Sequence, residues 1–150
     1  MIENGSIDFA FSFDSLVHAE SDVMSSYTNE LARVLKPGGV AFLHHSNLDA
    51  VRRLTVLHRA KARLTCHPFQ DHWRAHSMSA DKMRAFVEGA GMMCVQQEIV
   101  PWEPGWPLMI DCFTTIVNTP GNQCHFVRNP RFMEEAAAIK HISSLRAVGA

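Results

Sequence analysis

Two short runs of the sequence gather most of the groups that could do chemistry. The first is Ser12-Phe13-Asp14-Ser15, running on to His18, and the second is His44-His45-Ser46-Asn47. Together they offer a carboxylate, three imidazoles, several hydroxyls and an amide. An imidazole titrates near neutral pH and a carboxylate can orient it, so this set suits removal of a proton from an attacking group. A structural reading stands beside the chemical one. Asp14 and Ser15 equally suit the turn that follows a strand, and either His44 or His45 can be a satisfied rim residue.

Two further constellations are weaker. Cys66, His67, His72 and His76 include soft metal ligands, and His72 and His76 would share one face of a helix. Pro68 interrupts that segment, however, and no CxxC supplies a second thiolate, so no metal site is expected. Arg52, Arg53, Arg59, Lys61 and Arg63 could meet a phosphorylated substrate or a nucleic acid. The 150 residues carry 14 basic and 15 acidic side chains, a net charge of -1, so a solvated helix face explains the run better and nucleic acid is not an expected partner.

With 47% hydrophobic residues the chain has the composition of one ordinary globular domain. No apolar run is long enough to span a membrane, and MIENGSIDFAF lacks the pattern of a signal peptide, so a cytoplasmic location is expected. The four cysteines, Cys66, Cys94, Cys112 and Cys124, are then expected to be reduced thiols, with Cys94 and Cys112 in strands.

The elements that must position these groups follow from spacing. Ile7 to Phe13 has the profile of a short buried strand, bounded by Asn4-Gly5 and Asp14-Ser15. Ser21 is expected to cap a helix whose apolar residues Val23, Met24, Tyr27, Leu31, Val34 and Leu35 recur at three- and four-residue intervals. Pro37-Gly38-Gly39 stops it, and Val40 to His44 gives a second buried strand. Strand, helix and strand at these lengths make a parallel βαβ unit, which places both chemical runs at one rim, outside the carboxyl ends of the strands.

Asn47 to Leu64 reads as an amphipathic helix and Cys66 to Ser77 as an irregular loop. Ser79 is expected to cap a helix with Met83, Phe86, Val87 and Ala90 inward, ended by Gly91. Met93 to Val100 and Leu108 to Asn118 are strands suited to antiparallel pairing across Pro101 to Pro107, and Phe132 to Val148 is a final helix.

The stretch IDFAFSFDSLVHAESDVMSSYTNELARVLKPGG followed by VAFLHHSN resembles the fourth strand, following helix and fifth strand of class I S-adenosylmethionine-dependent methyltransferases. Arg33-Val34-Leu35-Lys36-Pro37-Gly38-Gly39 reproduces the phrase with which that helix ends in the family, and the later helix and strand pair resemble the family's closing elements. The resemblance implies an α/β fold: a partial Rossmann-like methyltransferase sheet, equivalent to strands 4 to 7, with flanking helices. It divides the single partial domain 1–150 into a strand-helix-strand core (1–47), an inserted helix and loop (48–78), a helix and closing strand pair (79–118) and a C-terminal tail with a helix (119–150).

It also implies S-adenosylmethionine as cofactor, with Ser12, Phe13 and Asp14 lining it and Asp14, His18, His44 or His45 touching the acceptor. Transfer to oxygen of a small polar or saccharide acceptor is the preferred subclass, with Trp73, Trp102 and Trp106 suited to the faces of a sugar ring; transfer to carbon or nitrogen could use the same rim. The family's Gly-rich loop and the acid that holds the ribose have no counterpart here. The strand at Ile7 is therefore expected to be an exposed sheet edge, able to pair with a second copy or a partner chain, and a catalytically silent interaction module is the alternative function.

Overall fold

The computed structural model describes residues 2–52, 74–102 and 108–147. Among them one mixed sheet runs in the order β1-β2-β4-β3-β5. Its strands are β1 (Ile7–Leu16), β2 (Leu35–Ser46), β3 (Met93–Val100), β4 (Asp111–Val117) and β5 (His125–Arg128). Helix α1 (Ser21–Val34) joins β1 to β2, α2 (Ala80–Gly89) precedes β3, and α3 (Phe132–Ala147) follows β5. β1 and β2 are parallel, β4 is antiparallel to both β2 and β3, and β5 lies parallel to β3.

The α/β architecture and the antiparallel closing pair agree with the sequence reading. β5 adds a strand that the sequence does not signal, because its four residues are mostly exposed and sit in a polar stretch. The basic run beyond Arg52, Cys66, His67, His72, Trp73 and Trp106 lie outside the described residues. Among the described residues no helix is long and apolar enough to cross a membrane.

Successive strand residues point to opposite faces, and here the two faces differ in kind. On one, Ala41 and Leu43 of β2, Cys94 of β3 and Ile116 of β4 pack against Met24 of α1 and Met83 and Val87 of α2. The other carries Phe9, Phe11 and Phe13 of β1, Phe42 of β2 and Phe113 of β4, approached by Trp102 and Phe132. β1 is an edge strand, and Phe9, Phe11 and Phe13 are 58%, 64% and 46% exposed. The apolar run was the profile of a buried strand, so this is a correction: hydrophobicity selects the strand but does not supply its cover.

Three local readings also change. Ser21 is the first residue of α1 rather than its cap; the capping position falls to Glu20, whose side chain makes no cap bond. The Glu20 carboxylate instead accepts the backbone N–H groups of His76 and Ser77, at 3.1 and 2.9 Å, and the Ser77 hydroxyl. Burial pushes the Glu20 carboxyl up, but the hydrogen bonds from Ser77 and His76 outweigh it and hold it below the usual carboxylate range. Val23 and Tyr27 face solvent, and Thr28 takes the inward position beside Met24, its hydroxyl donating to the Met24 carbonyl at 2.7 Å. Ser79 does cap α2, accepting from the Lys82 backbone N–H.

The third change is at the Pro-Gly-Gly turn. The chain enters the sheet at Leu35, ahead of Val40, and pairing jumps from Ile7 with Leu35 to Phe9 with Val40. Gly38 takes φ +77 and donates to the Asn118 carbonyl at 2.9 Å. A Cβ on Gly39 would lie 2.9 Å from the Lys36 carbonyl oxygen and 3.0 Å from that of Ile7. Glycine is needed at both positions, for conformation at the first and for close approach at the second.

Candidate functional site

The carboxyl ends of β1 and β2 and the amino end of antiparallel β4 share one rim, where Asp14, His44 and Asp111 come together with Arg74 from the segment that leads to α2. Asp14 lies in the irregularity of β1 between the Ser12 and Leu16 rungs and adopts φ +56, which aims its backbone N–H at Nδ1 of His44, 3.1 Å away. A nitrogen that accepts from an amide carries no proton, so the neutral ring holds its proton on Nε2. Nε2 faces Asp111 Oδ2 at 3.5 Å and has no closer hydrogen-bond partner.

Arg74 grips the fully buried Asp111 through Nε and Nη2, both at 2.9 Å, a bidentate pairing that neutralises the buried carboxylate. Its remaining nitrogen, Nη1, lies 3.6 Å from Asp14 Oδ1, and its guanidinium carbon lies 5.1 Å from the centre of a Trp102 ring. The Asp14 side chain is 52% exposed whereas that of Arg74 is 8% exposed, so Asp14 is the solvent-facing carboxylate of the cluster. Aromatic walls adjoin it. Phe13 lies 5.0 Å from His44 and 5.8 Å from Phe113, Trp102 lies 5.0 Å from His44, and Phe132 lies 5.1 Å from Phe113.

The other candidates are placed differently. His45 follows His44 in an extended strand and so points to the opposite face. It is fully buried, its Nδ1 donates to the Ser46 carbonyl at 2.9 Å, and its Nε2 accepts from the Thr114 hydroxyl at 2.8 Å. Burial pushes its pKa down to about 4, so it is neutral. Gln97 extends this network from Thr114 to the Ala80 carbonyl at the start of α2.

His18 is exposed beyond the end of β1, and the Ser12 and Ser15 hydroxyls bond to each other at 2.7 Å. Ser46 donates to the Ala75 carbonyl and accepts the Leu48 N–H, while Asn47 bridges the Met109 carbonyl and the Ala80 N–H. Those two residues fasten the segment before α2 to the sheet. The rim thus unites Phe13, Asp14 and His44 and turns His45, Ser46 and Asn47 inward.

Sequence reasoning missed Arg74 and Asp111. Asp111 did leave a signal: a lone charge inside the apolar run Leu108 to Val117 must find a buried counter-charge.

Residues 1–43 match the family described as "Methyltransferase domain". No curated protein matches the chain in sequence. In fold it is similar to an S-adenosylmethionine-dependent methyltransferase from Methanosarcina mazei, with TM-score 0.53, 15% identity, and coverage of 80% of this chain and 63% of the other. A candidate sarcosine dimethylglycine methyltransferase from Galdieria sulphuraria gives TM-score 0.52 and 17% identity over 78% of this chain and 55% of the other. This chain therefore spans less than two thirds of either structure. The resemblance to class I S-adenosylmethionine-dependent methyltransferases is upheld, in sequence over the first strand-helix-strand unit and in fold over most of the described residues.

The fit to S-adenosylmethionine is one-sided. Phe13 and Asp14 offer an aromatic surface and a carboxylate at the rim. Gly38 and Gly39 lie at the opposite end of β2, beside Asn118, and Gly5 lies near them against the Arg33 carbonyl. Among the described residues no glycine turn approaches the rim, so these residues fit one wall of a donor site and not its phosphate-loop-like cradle.

Proposed function

We propose that the chain, taken as one partial domain, forms the acceptor-facing part of an S-adenosylmethionine-dependent methyltransferase that acts in the cytoplasm on an oxygen of a small polar or saccharide acceptor. The observation that carries this reading is Asp14: a solvent-facing carboxylate on a left-handed residue in the irregular last rungs of β1, backed by His44 and Arg74. When bound, S-adenosylmethionine supplies a methyl group on a positively charged sulfur. Asp14 is placed to take the acceptor hydroxyl's proton as its oxygen attacks that methyl group. His44 acts by holding the Asp14 backbone, since its own Nδ1 lone pair is occupied by the Asp14 N–H. Arg74 offsets the charge of the buried Asp111 and lies 3.6 Å from Asp14, which ties the two carboxylates to one cation. Phe13 and Trp102 give an apolar wall suited to the face of a sugar ring.

The second reading is a catalytically silent interaction module, and the open β1 edge with its three exposed phenylalanines favours it. Its partner would be a second copy or another chain seated along β1.

Calorimetric titration with S-adenosylmethionine and with its demethylated product separates the two. Saturable heat in the micromolar range is expected if this chain supplies a working donor site. No heat at millimolar donor would mean that this chain alone holds no working donor site, which leaves the module reading or a donor wall supplied by another chain. Where binding is found, Asp14→Asn should lower turnover on a polyol or sugar panel by a much larger factor than it weakens donor binding, which it also touches as part of the donor wall. Unchanged turnover would remove Asp14 from the mechanism.

A further inference from the structure

Far from the rim, two thiols lie in contact. Cys94 on β3 and Cys124, just before β5, are 30 residues apart in sequence, and their sulfur atoms are 3.3 Å apart. Both are free. The neighbourhood is arranged around this meeting. Pairing of β3 with β4 skips a residue between Cys94 and Gln96, and the next parallel rung joins Gln96 of β3 to His125 of β5. Cys94 is buried in the main core and Cys124 packs against that core from the half-exposed side. Residues 120–124 lie outside the strands, so closing the sulfur atoms to the roughly 2.05 Å of a disulfide moves no ladder residue on the Cys124 side.

We propose that Cys94 and Cys124 form an oxidisable dithiol whose disulfide clasps the β5 segment to β3 in response to a hydroperoxide. The half-exposed Cys124 is the entry point. Its thiolate attacks the peroxide oxygen, forming a sulfenic acid and releasing water or an alcohol. The Cys94 sulfur then displaces hydroxide from that sulfenic acid, the S–S bond forms, and the released proton and hydroxide leave as water. Two thiols are oxidised by two electrons, and one peroxide is reduced.

Cys112 contrasts with the partly exposed Cys124 and, among the described residues, lacks a sulfur neighbour like the one Cys94 has, although burial raises the Cys94 thiol as well. Cys112 is fully buried, bonded to the Thr114 hydroxyl and the Phe113 carbonyl, and burial pushes its thiol up to about 12, so it stays a protonated bystander. Oxidation would bear on the site through chain connectivity, because β5 leads within a few residues to Phe132, which packs on Phe113 at the rim.

The test uses the full chain, reduced and then treated with stoichiometric hydrogen peroxide before alkylation of remaining thiols. Before alkylation the intact mass should fall by about 2 Da without dimer formation, after alkylation the chain should carry two fewer alkyl groups than the reduced control, and peptide mapping should find Cys94 joined to Cys124. Cys112→Ala should behave the same way; Cys124→Ser should form no intramolecular link. Amide exchange in residues 125–128 should slow on oxidation and recover on reduction. A crosslink between any other pair, accumulation of sulfinic acid on Cys124 in place of a link, or faster exchange in the oxidised protein would each overturn the proposal.

Discussion

The backbone N–H of Asp14 donates to Nδ1 of His44 across 3.1 Å while Asp14 holds a left-handed φ of +56. The same hydrogen bond fixes the ring's tautomer and aims the Asp14 side chain outward. Aspartate tolerates this conformation better than most residues, and a β-branched residue tolerates it poorly.

Substitution at Asp14 should therefore separate conformation from chemistry. Asp14→Gly is expected to hold stability within about 0.5 kcal/mol, since it removes strain while freeing the unfolded chain. Asp14→Val should lose about 1–3 kcal/mol. Urea unfolding of the two variants reads this difference directly, and equal losses would mean that the turn is not under the inferred constraint.

The Arg74 and Asp111 pair is the buried electrostatic core of the rim. Arg74→Met leaves the Asp111 carboxylate buried without its bidentate partner and should cost about 3–5 kcal/mol. Pairing it with Asp111→Leu should recover much of that loss, because no isolated charge then remains. A double-mutant cycle by chemical denaturation measures the coupling, and additive losses would show that the two act independently.

His45 gives stability a defined pH dependence. Its folded pKa is pushed down to about 4 from the ordinary 6.5, chiefly by burial. Above pH 6.5 neither state binds the proton and the group is silent. As pH falls from 6.5 to about 4 the unfolded chain takes up a proton that the folded one refuses, so stability drops, by about 3 kcal/mol at most. His45→Gln should flatten that part of the profile. An unchanged slope between wild type and variant would place the acid sensitivity elsewhere.

Two glycines offer opposite outcomes from the same substitution. A methyl group at Gly39 meets the carbonyl oxygens of Lys36 and Ile7, whereas one at Gly89, at the end of α2, meets nothing within 4 Å. Gly39→Ala should destabilise by about 1–3 kcal/mol and Gly89→Ala should stabilise by about 0.5–1 kcal/mol. Thermal unfolding of both variants checks the pair, and a neutral Gly39→Ala would mean that the turn relaxes freely.

Much of this was legible because it is local. The spacing of apolar residues in α1, the Pro-Gly-Gly stop and the two flanking strands define the βαβ unit, and strand ends define the rim. Period-two alternation already implies that His44 and His45 point apart, a step that lists of candidate histidines pass over. What stayed hidden is long-range. Arg74 and Asp111 meet across 37 residues of sequence, and nothing near either one names the other. Nor does the run Ile7 to Phe13 say which of its faces is covered.

That open face leads to the last expectation. Phe9, Phe11 and Phe13 project from one side of an edge strand, and among the described residues the Phe11 ring stacks on Phe42 and meets Phe9 at a tilt. An edge with unpaired backbone groups and a phenyl row can extend its sheet into another chain. Light scattering of the purified chain should show mass rising with concentration. Phe11→Lys places a charge at the centre of the row and should hold the chain monomeric, with a stability loss of about 1 kcal/mol from the lost stacking. A wild-type chain that stays monomeric up to high concentration would show that the edge does not recruit a second copy, leaving a different chain as its partner under the module reading.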